Sequence, residues 1–225
     1  MTLNGLLPYL TFWVLWFALT NGLEFLLLRR RLVPLASPYM TIANQVANLL
    51  HAAVVMLLGF YIVFAEFNLQ NPLTFWQREL AEFSSAFFLV DTMALLVFRH
   101  KKWDIFLHHI LCLISFQVFF HDNASGWIMA ATVALAEMGP CIYIENIAKR
   151  WAVQSKRFYQ WNDRLYLASF LFTRLGCLSV IFFIALFWAP ASFGVLLVGM
   201  GLWAIGFYWS YLLLQRYRRR YRSAS

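Results

Sequence analysis

The chain has 225 residues, of which 62% are hydrophobic, 19% aromatic and only 12% charged. A soluble domain of this length cannot hide that much apolar surface, so the composition excludes an ordinary water-soluble fold and indicates a single polytopic membrane domain. The net charge of +8 comes from short basic clusters between apolar runs long enough to cross a bilayer, so it reads as a topology signal and not as a nucleic-acid surface.

Hydropathy predicts an all-α fold of seven transmembrane helices, at about 5–28, 40–65, 82–98, 105–121, 127–147, 165–188 and 192–215. The first is too long for a cleavable signal segment and is followed by Arg29, Arg30 and Arg31. Residues 1–39 therefore read as a retained signal anchor with a basic loop. The second helix carries Asn44, Asn48 and His51 at i, i+4 and i+7, one stripe on one face. The third carries Asp91 about two turns from Arg99.

The fourth helix carries adjacent histidines, His108 and His109, roughly one turn in from its cytoplasmic end, which Lys101 and Lys102 flank. Asp104, His108, Cys112 and Ser115 share a face, and Asp104 is one turn before His108, placed to orient its imidazole. His109 projects about 100° away toward a different neighbour. In the fifth helix Glu137, Cys141 and Glu145 share a face, and Gly139-Pro140 interrupts it. Pro140 has no N–H for the carbonyl of Ala136, which predicts a kink that either walls a cavity or only shapes packing. The sixth helix carries Arg174, and the seventh leads into the basic tail RYRRRYR within residues 216–225.

The basic residues orient the chain. Apart from Arg78 and the intramembrane Arg174, the Lys and Arg residues, 16 of the 18, fall after the first, third, fifth and seventh helices. The positive-inside rule then predicts a lumenal N-terminus and a cytoplasmic C-terminus. The tail reads as a stop-transfer flank or as a binder of anionic head groups. Asn123-Ala124-Ser125 is a glycosylation sequon in the predicted lumenal loop, close enough to two helix ends to be expected unmodified.

His51, Asp91, His108, His109, Glu137 and Arg174 all fall between the cytoplasmic face and mid-depth. Ionisable groups in hydrocarbon mark an internal cavity, a relay or a site, so this depth predicts one cavity open toward the cytoplasm. His51 also reads as a helix–helix hydrogen bonder, and Glu24 and Glu145 as residues reaching the interface. Arg174 is expected to pair with Asp91 or Glu137, since an unpaired guanidinium there is very costly. Cys112, Cys141 and Cys177 read as small hydrophobes in packed helices. No two histidines are spaced i, i+3 or i, i+4, so no metal site is expected.

An ordered set of these residues resembles the TLC domain family, the group that includes the ceramide synthases. The set is Leu50-His51-Ala52, Phe88-Leu89-Val90-Asp91, Leu107-His108-His109, Glu137 with Pro140, and Phe170 with Arg174. It spans residues 40–215, and the chain is more similar to the short TLC-domain proteins than to full ceramide synthases. The resemblance implies that the last six helices form a TLC-like barrel in the endoplasmic reticulum membrane, engaged in lipid metabolism or lipid homeostasis, sphingolipid chemistry included.

On this reading His108, His109, Asp91 and Glu137 are candidate catalytic residues of an acyltransferase, with a histidine as general base or transient acyl carrier. Asn48, His51, Cys141 and Arg174 are candidate lipid-binding residues. Acyl-CoA is the possible co-substrate, attracted by Lys101, Lys102, Lys149 and Arg150, and no bound cofactor is expected. The alternatives are a non-catalytic lipid-binding regulator of membrane composition and an accessory subunit of a larger membrane complex. Membrane lipids are the expected partners, homo-oligomerisation is open, and no nucleic acid is expected.

Overall fold

The computed structural model describes residues 3–28, 42–67, 72–97, 103–123, 126–137, 139–150, 155–188 and 191–222. The basic groups Arg29, Arg30, Arg31, Arg99, Lys101 and Lys102, and residues Ala124 and Ser125 of the sequon, lie outside them, as do the side chains of Arg150 and Arg222. All regular structure in the described residues is helical: α1 (Leu3–Leu28), α2 (Ile42–Ala65), α3 (Phe75–Val97), α4 (Trp103–Asp122), α5 (Gly126–Ala136), α6 (Cys141–Arg150), α7 (Lys156–Leu171), α8 (Leu178–Phe187) and α9 (Phe193–Arg222). They provide seven spans long and apolar enough to cross a membrane, α5–α6 and α7–α8 each counting as one. The chain is an integral membrane protein.

Two spans start earlier than hydropathy predicts, and local polar chemistry explains both. The third begins at Phe75 and not at residue 82, because Thr74 and Gln77 form a reciprocal capping box. The Gln77 N–H donates to Thr74 Oγ1 (3.3 Å) and the Thr74 N–H to Gln77 Oε1 (3.1 Å). The sixth begins at Lys156 and not at residue 165, because Ser155 is an N-cap that accepts from the Phe158 N–H at 3.2 Å. Glu24 does more than reach an interface. Its carboxylate accepts from the N–H groups of Ile42 and Ala43 at 3.1 and 2.8 Å, so α1 caps α2.

The predicted kink at Pro140 is a full break. α5 ends at Ala136 and α6 starts at Cys141, with the Tyr143 and Ile144 N–H groups bonded to the Pro140 carbonyl. Between α7 and α8 the residues Phe172–Cys177 form a π-helical turn. Such turns shift the facing of a helix and occur often at functional sites.

Contacts between spans run in a closed order: α2 to α3, α3 to α4, α4 to α9, α9 to α7 and α8, α8 to α5, α7 to α6, and both α5 and α6 back to α2. Helix α1 packs outside this ring on α2 and α3. Its Trp13, fully buried, is an edge partner of Phe87 (centroids 4.9 Å) and lies 6.1 Å from the His51 ring. At the end of the ring away from Asp91, Asn123 Oδ1 accepts from Arg78 at 2.6 Å and from the Leu73 N–H at 3.3 Å.

Candidate functional site

A polar cavity of about 470 Å³ lies among these spans. His51, Asp91, His108, His109, Glu137 and Arg174 all line it. The depth argument from the sequence thus corresponds to real proximity, with the groups arriving from α2, α3, α4, the α5–α6 break and the π turn. Asn48 lines the same cavity, its amide donating to the Asn44 carbonyl at 2.8 Å.

Two acid–histidine pairs face the space. His109 Nε2 lies 3.5 Å from Asp91 Oδ2, and its Nδ1 lies 3.3 Å from Thr92 Oγ1. His51 Nδ1 lies 3.9 Å from Glu137 Oε1, with its ring stacked on Phe87 at 3.9 Å between centroids. His51 Nε2 is buried without a hydrogen-bond partner among the described residues. Phe88 touches all three imidazoles, with centroids 5.5 Å from His51, 6.1 Å from His108 and 5.2 Å from His109. It fixes their spacing without supplying a charge.

His108 differs from the expectation. Asp104 does not orient its imidazole. The carboxylate of Asp104 accepts from the Trp209 indole N–H at 2.9 Å, and the Trp209 ring in turn packs 4.9 Å from His108. The Asp104 effect is relayed through a rigid aromatic from α9. The polar neighbour of His108 is Cys112, one turn on, with Sγ 3.6 Å from Nε2. Trp209 escaped the sequence reading. Its spacing of i, i+7 from Arg216, which lines the same cavity, was the available signal.

Arg174 is also partnered otherwise than expected. None of the ion pairs among the described residues joins it to Asp91 or Glu137. Instead its Nη2 donates to the Ala136 carbonyl at 3.0 Å. This is the carbonyl that Pro140 cannot bond, so a side chain from another span replaces the missing backbone donor. The guanidinium lies over the Phe170 and Trp209 rings at 5.5 and 5.9 Å. Its Nε is buried and has no hydrogen-bond partner among the described residues.

A second, apolar cavity of about 80 Å³ adjoins the first. Phe88, His108, Glu137 and Arg174 line both. From His108 the apolar space follows α4 to Phe119, a distance of about 16 Å at helical rise. It is walled by Cys112, Phe116, Met129, Ile181 and Val195, a lining that suits hydrocarbon.

Cys141 lines neither cavity. It is buried, and its carbonyl accepts from the Asn162 amide at 3.0 Å. Glu145, expected at the interface, is 1% exposed. Its carboxylate holds Lys149 (2.5 Å), Arg216 (2.8 Å) and Arg220 (3.5 Å), and Arg220 also bonds Asp163. Arg216 lines the polar cavity, so this ion cluster frames its wall. Among the described residues, no group of three or more His, Cys, Asp or Glu side chains is placed to hold a metal ion. No family model matches the chain, and no curated protein matches it.

Proposed function

We propose that this protein is an intramembrane acyltransferase that moves a fatty acyl group from an acyl thioester to a lipid amine or alcohol, on a TLC-like barrel of its last six spans. One observation carries the reading: the polar cavity with its acid–histidine pairs adjoins an apolar one, and His108, Glu137 and Arg174 line both. A fatty acyl thioester has that polarity, a long apolar tail joined to a carbonyl and a water-soluble leaving group.

The residues divide the work as follows. The acyl tail takes the apolar cavity as its slot and brings its carbonyl to the residues that line both. His109, paired with Asp91, accepts the proton of the acceptor as it attacks. Asp91 stabilises the imidazolium that forms. The free Nε–H of Arg174 points its charge at the oxygen that becomes anionic. Glu137 beside His51 receives the acceptor amine. The reading includes a lumenal N-terminus and an endoplasmic reticulum membrane, with the cavity open to cytoplasmic acyl-CoA.

The test is turnover by purified protein supplied with palmitoyl-CoA and a long-chain lipid amine. Release of free CoA thiol that depends on the amine, with the amide as product, is the expected result. The rate falls about 100-fold or more in His109→Ala. Retention of intact palmitoyl-CoA without CoA release, equal in wild type and variant, would replace the enzyme with a lipid-binding regulator.

A further inference from the structure

We infer that Cys112 is the residue that carries the acyl group, with His108 as its base. This rests on the acyl-transfer reading and specifies its covalent step. Cysteines in packed helices are ordinarily inert small hydrophobes, and a buried thiol becomes a nucleophile when a base beside it takes its proton during attack. Cys112 has a base within reach. Its Sγ lies 3.6 Å from Nε2 of His108, in the i, i+4 geometry of α4. It also lines the apolar slot at the end where His108 and Arg174 enter the wall.

Two further observations separate this thiol from the other two. Arg174 is 8% exposed, lines the same slot and has a buried Nε–H without a partner among the described residues. A donor left unbonded at that depth has a use when an oxyanion forms beside it. Cys141 and Cys177, by contrast, line neither cavity. An acyl chain in the slot with its leaving group in the polar cavity brings its carbonyl carbon past Cys112.

The step balances without an outside oxidant or reductant. Sγ attacks the thioester carbonyl carbon while its proton passes to His108. The new Sγ–C bond forms, the carbon–sulfur bond to CoA breaks, and His108 returns the proton to the departing CoA sulfur. Acyl-CoA and a thiol become acyl-Cys112 and free CoA. The acceptor then attacks the acyl carbon, the Sγ–C bond breaks, and the proton lost at His109 ends on Sγ. His108 and His109 divide the two half-reactions, and their rings are 5.9 Å apart.

The experiment is a rapid-quench incubation of the full-length protein with palmitoyl-CoA and no acceptor, followed by peptide mass spectrometry with residue-level fragmentation. A burst of CoA release equal to the amount of protein, with the palmitoyl mass on Cys112, is the expected result. Cys112→Ala loses burst and adduct, whereas Cys141→Ala and Cys177→Ala keep both. Cys112→Ser, nearly the same size, guards against misfolding: it keeps the thermal stability of wild type and carries at most an ester resistant to neutral hydroxylamine. A palmitoyl mass on His108 or His109 overturns the cysteine step and leaves acyl transfer standing. So does a burst that survives in Cys112→Ala, or acceptor-dependent CoA release with no burst. Absence of both the burst and acceptor-dependent release overturns the acyl-transfer reading and this step with it.

Discussion

Two clusters of charge meet at the polar cavity, one only through Arg216, and are built on opposite principles. Around Glu145 every acceptor is saturated: Lys149, Arg216 and Arg220 converge on one buried carboxylate at 2.5 to 3.5 Å, and Asp163 takes the remaining reach of Arg220. Around the histidines the pairing is loose. His109 to Asp91 is 3.5 Å, His51 to Glu137 is 3.9 Å, and both His51 Nε2 and Arg174 Nε lack partners among the described residues. Buried polar groups are normally satisfied, because each one left unbonded costs about 1–3 kcal/mol. On the acyl-transfer reading proposed above, the first cluster holds spans together and the second is the one that meets the ligand.

The largest expected effect tests the loose cluster. His109→Ala lowers acyl transfer about 10²- to 10⁴-fold, the range for loss of a general base, while the melting temperature in detergent stays at the wild-type value. A variant that melts early and loses activity only in proportion to folded protein would make His109 a structural hydrogen bonder. Asp91→Asn comes next. It keeps the shape and removes the charge that stabilises the imidazolium, at about 1.5–3 kcal/mol, or about 10- to 100-fold in kcat. A KM change without a kcat change would instead assign Asp91 to acceptor binding.

The division between the clusters was only half legible in the sequence. Seven spans follow from apolar run length alone, since length is what a bilayer selects. The early starts at Phe75 and Lys156 were missed because hydropathy does not weigh a Thr74–Gln77 box or a Ser155 cap. Periodicity placed His51, His108 and Glu137 on inward faces, but a face does not name a partner. Arg174 shows the limit. The sequence identified the Ala136 carbonyl that Pro140 frees, and identified a guanidinium in need of an acceptor, yet nothing local joins residues 38 positions apart. Opposite charges offered the simpler pairing, and a backbone carbonyl took the arginine instead. Glu145 shows the same limit more sharply, because two of its three cations come from α9, 71 and 75 positions away.

Glu145→Gln tests the saturated cluster at its centre. Removing one member of a fully buried ion pair costs about 3–5 kcal/mol. Here Arg216 and Arg220 keep 38% and 37% exposure and can turn to water, so the expected loss is smaller, about 2–3 kcal/mol. It is read as earlier thermal unfolding with unchanged turnover per folded molecule. Loss of turnover at full stability would merge the two clusters into one site.

The smallest effect decides whether saturation is the right description. Lys149 is the shortest ion partner of Glu145, yet it is 49% exposed and reaches back one helical turn. Pairs of that kind contribute about 0.2–0.5 kcal/mol. With Arg216 and Arg220 still on the carboxylate, Lys149→Ala leaves Glu145 neutralised, so stability changes by no more than about 0.5 kcal/mol. The same change made on Glu145→Gln adds nothing measurable, because the carboxylate that Lys149 pairs with is already gone. A Lys149→Ala loss as large as that of Glu145→Gln would mean that each cation is individually required. The cluster would then be as under-supplied as the histidines, and the contrast between a holding cluster and a waiting one would fail at its better-bonded end.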